Sequence, residues 1–191
     1  MREPKILQRT VFGNPVLREV ARQLTPEEIK SDTIQQLITD IKYTVDKKKY
    51  GVGMAAPQVG EGVALARIAI KPTPTRPNIQ VFDRVIINPK ITRTIGEKVL
   101  RWEGCISFGS GGMDIPYAQT ERWPEIEVSY LDENGAQQQE VLDGLAAHVY
   151  QHEMDHLNGI LFVDKVADPK SYMMISEFKK RILPTLPKED L

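Results

Sequence analysis

Asp143 to Gly159, "DGLAAHVYQHEMDHLNG", is the stretch that decides how the chain reads. Leu142, Leu145, Val149, His152 and His156 recur at helical spacing on one face, and Gly159 stands where a left-handed residue ends a helix. Residues four apart on a helix point the same way, so His152 and His156 can aim ring nitrogens at one ion. Glu153 is rotated about a third of a turn from His152, which suits proton transfer beside a metal better than binding to it. His148 extends the ladder, but the outer histidines then lie roughly 12 Å apart along the axis, too far for one ion to take all three. Between His148 and His152 there is no carboxylate. His152 and His156 are therefore the expected ligands, and His148 a wall of the cavity. The plain alternative is a pair of hydrogen-bonded core histidines, and the glutamate at this spacing weighs against it.

The helix sits in a chain of 191 residues, 41% hydrophobic and 27% charged, the composition of a single globular domain spanning 1–191. A formal charge of −1 gives no overall pull toward nucleic acid or an anionic membrane, and no nucleic-acid motif stands out. Lys179-Lys180-Arg181 is expected on a solvated helix face. There is no apolar run long enough for a spanning helix, and "MREPKILQRT" lacks the apolar core of a signal peptide, so a cytoplasmic location is expected. Cys105, the one cysteine, cannot form an internal disulfide and is free for chemistry.

Around the central helix the pattern changes. Ile34, Leu37, Ile38, Ile41 and Val45 predict an earlier helix that ends before Gly51, preceded by a capping box at Thr25-Pro26-Glu27-Glu28. "KPTPTRPN" (71–78) reads as a surface loop. Val63 to Ile70, Val81 to Asn88, Lys98 to Ser107 and Glu125 to Leu131 read as strands, and the turn at 132–135 joins the last of these to Ala136 to Leu142. A final helix is expected from Asp168-Pro169 to just before Pro184. The fold class is α+β: antiparallel or mixed sheets packed around a central helix that carries the histidine motif, with flanking N- and C-terminal helices.

Two residues are candidates for a third ligand. Glu177 lies 21 positions after His156, as in zinc peptidases of the HExxH type whose third ligand is a glutamate on a following helix. Cys105, in "WEGCIS" at the end of an expected strand, offers a thiolate instead. A further segment, "GVGMAAPQVG" (51–60), combines glycines that allow close backbone approach with Gln58, whose amide can donate to an oxyanion.

"GVGMAAPQ", "EGCIS" and "HEMDH", in this order, closely resemble the three motifs of peptide deformylases, which remove the formyl group from the N-terminal methionine of new proteins. The resemblance runs from about Ile6 to Lys165 and includes "GNPVLREVA", "INPKI" and "LNGILFVDK". It implies one divalent ion held by Cys105, His152 and His156, with water in the fourth place. The ion expected is iron(II), with zinc, nickel and cobalt as alternatives that a thiolate and two imidazoles also accept. The resemblance makes Glu153 the base, and Gln58 with the backbone N–H of Ile106 the oxyanion donors. Removing one such donor typically costs about 2.7 to 4 kcal/mol of transition-state stabilisation. Val52, Gly53, Gly104, His148 and Val149 are the expected substrate-binding positions, and Glu103 and Asp155 are expected to orient the ligands. The implied partner is a formyl-methionyl nascent peptide, met in transient contact with the ribosome. Another formylated or amide substrate is the alternative.

Two departures bear on substrate range. After Ser107 the family's proline and peptide-facing arginines are missing, and no basic residue occurs before Arg122; glycines at 109, 111 and 112 predict a mobile loop over the cleft. His148 occupies a position that is usually apolar and lines the methionine pocket. These assignments predict that Glu153→Gln retains metal and abolishes formate release. Cys105→Ser is expected to lose metal where Glu177→Gln keeps it, as read by metal analysis of the purified variants. The reverse pattern would restore Glu177 as ligand.

Overall fold

Leu65–Ile70 is buried at every position, as expected of a strand covered on both faces. The computed structural model, which describes residues 2–48, 51–74, 76–109 and 115–186, places it second in an antiparallel sheet. The strands are β1 (Gly53–Ala55), β2 (Leu65–Ile70), β3 (Phe82–Ile95), β4 (Val99–Gly104), β5 (Pro116–Arg122), β6 (Glu125–Leu131), β7 (Gln137–Asp143) and β8 (Met173–Met174). One sheet has the order β1-β2-β3-β6-β7, and β4, β5 and β8 form a second. The helices are α1 (Pro26–Ile29), α2 (Asp32–Lys48), α3 (Gly144–Leu157) and the short α4 (Ile175–Glu177).

Alternation along β2 divides the core between two helices. Ala66, Ile68 and Ile70 pack with Ala147, Tyr150 and Leu157 of α3, while Leu65 and Ala69 pack with Ile34, Ile38, Ile41 and Val45 of α2. The large sheet thus has a helix on each face, and the α+β class follows. Arg67, on the α2 side, is as buried as its neighbours because Asp83 receives its guanidinium at 2.8 and 3.0 Å and the Lys42 carbonyl accepts at 2.7 Å.

The capping box forms as read: Thr25 Oγ1 accepts from the Glu28 N–H, and the Glu28 carboxylate accepts from the Thr25 N–H. The β6–β7 hairpin forms too, its turn held by Asp132 Oδ1, which accepts from the N–H groups of Asn134 and Ala136. Elsewhere the structure corrects the reading. β3 continues to Ile95 rather than ending at Asn88. Asn88 takes a left-handed φ of 49° at a register shift, and its amide clasps both the N–H and the carbonyl of Leu24. β5 is a strand that the apolar pattern conceals, because Thr120 and Arg122 are among its inward residues. The last helix does not begin at Asp168. Pro169–Ser171 is a 3-10 turn, β8 intervenes, and α4 starts only at Ile175, passing into a π-helical Phe178–Ile182 and a 3-10 turn at Leu183–Thr185. The glycines at 111 and 112 lie outside the described residues; Gly109 has a φ of 91° and its carbonyl accepts from Arg9.

The N-terminal segment straps the fold together. Lys5 and Leu7 donate backbone N–H groups to Asp40 and Thr44 of α2, and Thr10 and Phe12 donate theirs to the carbonyls of Gln58 and Ser107 at 2.8 Å each. At the other end of α3, Gly159 has a φ of 69°, and a Cβ there would lie 2.5 Å from the Arg18 carbonyl oxygen. Gly159→Ala is expected to cost about 2 to 4 kcal/mol from the left-handed backbone and the clash together. Gly135→Ala, also at positive φ but with its nearest neighbour at 3.9 Å, is the control and should cost less in urea unfolding. Equal losses would remove the clash as the cause.

Candidate metal centre

α3 lies between the two sheets, and its motif residues face the end of β4. Cys105 Sγ and one ring nitrogen from each of His152 and His156 lie within 4.8 Å of one another, the one such ligand group found among the described residues. Cys105 Sγ is 3.2 Å from His156 Nε2. Ligand atoms around a tetrahedral ion at ordinary bond lengths stand about 3.5 Å apart, so the donors are spaced to take one. Burial alone would push the Cys105 thiol up, but His156 and His152 outweigh it and hold it well below the usual thiol range. His152 is in turn raised well above the usual imidazole value, against its burial, by Cys105 and Glu103.

Glu177, the other candidate ligand, is not part of this group. It is exposed and ion-paired with Arg181, one turn on along the exposed basic stretch. The reading of Lys179-Lys180-Arg181 as a solvated face holds.

The carboxyl of Glu153 is buried, and its Oε2 has no hydrogen-bond partner. Burial pushes its pKa up to about 7 in spite of the two nearby histidines. It presses so closely on β1 that a Cβ at Gly53 would stand 2.2 Å from its Oε1. Gly53 therefore makes room for the glutamate as well as lining the cavity. Gln58, on a 3-10 turn directly after β1, is locked in orientation: its Oε1 accepts from the Ala55 N–H at 2.8 Å. That leaves its NH₂ facing Cys105 Sγ and Ser107 Oγ, each at 3.4 Å.

Behind the ligands is a buried ionic cluster. Arg122 of β5 donates in fork fashion to both oxygens of Glu103, at 2.7 and 3.1 Å, and also to Asp155 of α3. Glu103 Oε1 lies 3.5 Å from His152 Nδ1, and its Oε2 is 2.7 Å from His148 Nε2. Burial would raise Glu103, but His148, His152 and Arg122 hold it well below the carboxylate range. Glu103 thus reaches the ligand His152 directly, and Asp155 is joined to it only through Arg122. Arg122 is spent on this cluster and is almost fully buried, so it does not face a substrate. Its part, and that of Gln151, are absent from the sequence reading. Gln151 staples α3 to the start of β6 by accepting from the Trp123 N–H and donating to the Trp123 carbonyl at 2.9 and 2.8 Å.

A cavity of about 270 Å³ opens onto the ligands. Val52, Gly53, Gln58, Gly104, Ile106, His148, Val149 and Glu153 all line it. His148 does so while bonded to Glu103, so it neither points freely into the space nor turns away. Gly104 is obligatory for a different reason, since a Cβ there would meet the Tyr117 ring at 2.6 Å. Part of the remaining wall comes from residues that the motifs do not announce, among them Arg76, Tyr117, and Phe178, Leu183 and Leu186 of the C-terminal segment. Phe178 stacks on Tyr117 with ring centres 4.4 Å apart.

Residues 6–172 match the polypeptide deformylase family model. Peptide deformylase 2 of a Nostoc species is 38% identical over 94% of this chain and 96% of its own length. Among solved structures, a class I type b peptide deformylase from Acinetobacter baumannii with Met-Ala-Ser bound superposes with a TM-score of 0.77 at 32% identity, covering 86% of this chain and all of that one. A peptide deformylase from Synechococcus elongatus in complex with actinonin is 38% identical, with a TM-score of 0.74 over 95% of this chain and 88% of its own. Sequence, fold and the set of buried groups around Cys105 agree, and the chain belongs to the peptide deformylase family of hydrolases.

Proposed function

We propose that this deformylase is metal-dependent and removes the formyl group from the N-terminal formyl-methionine of newly made polypeptides, releasing formate. The observation that carries the reading is the convergence of Cys105, His152 and His156 within 4.8 Å beside a buried glutamate oxygen that has no partner. Cys105 and the two histidines would hold the ion, iron(II) in preference to zinc, nickel or cobalt. When bound, the ion supplies Lewis acidity, which makes water a better nucleophile and polarises the formyl oxygen.

The chain's own groups do the rest. Glu153, held near neutrality by its burial, takes the proton of the attacking water and delivers it to the departing amine as the formamide C–N bond breaks. The water oxygen leaves in formate. Gln58, its amide orientation fixed by Ala55, donates with the Ile106 N–H to the oxygen that gains charge. Val149, Leu145, Trp102 and Phe178 offer the methionine side chain an apolar wall, and Val52, Gly53 and Gly104 flank the peptide. Among the described residues no helix is long and apolar enough to cross a membrane. Activity on nascent chains places the enzyme in the cytoplasm, in transient contact with the ribosome.

A second reading, hydrolysis of another formylated or amide substrate, draws on His148, a polar group in the wall of the methionine pocket. Formate release after anaerobic iron(II) loading, compared between formyl-methionyl and other formylated compounds, separates the two. Formyl-methionyl peptides are expected to be the best substrates; formate from none of the compounds would end the proposal. His148→Ile is expected to raise turnover of formyl-methionyl peptides. A fall in turnover with metal retained would favour the second reading.

Metal-free protein gives an independent check on Glu153. Its folded pKa of about 7 lies above the ordinary 4.5. The burial therefore costs nothing while the group is protonated, below about pH 4.5, and destabilises increasingly as pH rises toward 7. Relative to Glu153→Gln, the metal-free wild type is expected to lose up to about 3 kcal/mol across that window in urea unfolding. A constant difference between the two proteins would mean that the carboxyl is not held in dry surroundings.

A further inference from the structure

Arg76 lies between β2 and β3 on a turn closed in both directions. Its N–H donates to the Thr73 carbonyl at 3.0 Å and to Thr73 Oγ1 at 3.1 Å, and its own carbonyl accepts from the Thr73 N–H at 3.2 Å. The turn sends the side chain into the wall of the metal-centre cavity, where Arg76 is the one lysine or arginine among the described lining residues. It also borders a second cavity of about 910 Å³, which shares Arg76 and Leu145 with the first.

What distinguishes Arg76 is that it has no counter-charge among the described residues. The two deeply buried arginines are each neutralised, Arg67 by Asp83 and Asp46, and Arg122 by Glu103 and Asp155. The guanidinium of Arg76 is partly buried, yet makes no hydrogen bond or ion pair among the described residues. Withdrawing a cation from water without a partner costs free energy that an incoming oxygen can return, most effectively through the two parallel donors of a guanidinium. The ligands lie in the first cavity, and Arg76 stands where it joins the second. A peptide with its formyl group at the ligands and its methionine against the apolar wall would carry its next residues past Arg76.

We infer that Arg76 seats the substrate peptide beyond its methionine, pairing with carbonyl and carboxylate oxygens there, and that it biases the enzyme toward peptides acidic at the following residues. This rests on the deformylase reading above. The test compares wild type, Arg76→Lys, Arg76→Gln and Arg76→Glu on formyl-Met-Asp-Ser and formyl-Met-Lys-Ser, with calorimetric binding of the deformylated peptides alongside.

Arg76→Gln is expected to raise KM for the aspartyl peptide about tenfold, the loss of one charge-assisted hydrogen bond, with kcat within about twofold. The preference of aspartyl over lysyl peptide should shrink in Arg76→Gln, reverse in Arg76→Glu and return partly in Arg76→Lys. A preference unchanged across the four proteins, or a fall in kcat at constant KM, would overturn the inference. Should wild type release no formate at all, the functional reading fails by itself. The calorimetric order of the four proteins would still decide whether Arg76 selects the peptide.

Discussion

The bidentate contact between Arg122 and Glu103, shared with Asp155, is the constraint on which the rest of the centre depends. It ties β4 and β5 of the second sheet to α3 at one buried point. Cys105 follows β4 directly and both histidines lie on α3, so the distance from sulfur to imidazole is set by whether this ionic joint closes. Buried ion pairs seldom add net stability over a hydrophobic replacement, while removing one partner typically costs about 3–5 kcal/mol. Their value here is registry. An apolar joint of the same volume would let α3 slide or rotate against the second sheet, and the spacing of the donors would drift with it.

Much of this was legible in the sequence, and the failures have a common physical cause. α3 and α2 were plain because their buried positions are apolar at helical spacing, and β6 and β7 because a strong turn separates them. β5 was hidden by the same joint that organises the site: an inward arginine and threonine break the alternation that marks a strand. The C-terminal helix was misplaced because Asp168-Pro169 has the chemistry of a helix start, and the structure uses it for a 3-10 turn before a strand. Asn88 hid its bulge by looking like the end of a strand.

At the centre itself, motif spacing pointed to residues that do lie together, and missed some of the reasons for them. Gly53 looked like room for a substrate's backbone, and it is also room for the Glu153 carboxylate. His148 looked like a plain wall of the cavity, and it lines the cavity while bonded to Glu103. In each case the missing information was a partner far away in the chain, which local pattern cannot supply.

The wall formed by Phe178, Leu183 and Leu186 has a consequence for how such a chain can change. None of the three is covalently or electrostatically tied to the ligands, which are fixed from α3 and β4. Part of the cavity wall is therefore carried by a stretch of polypeptide that holds none of the donors, while Leu145 and Val149 of α3 supply another part. Substitutions in the final segment can reshape that part of the wall without disturbing the donors. Substitutions in α3 have no such freedom, because each exposed turn of that helix has a buried counterpart one or two positions away.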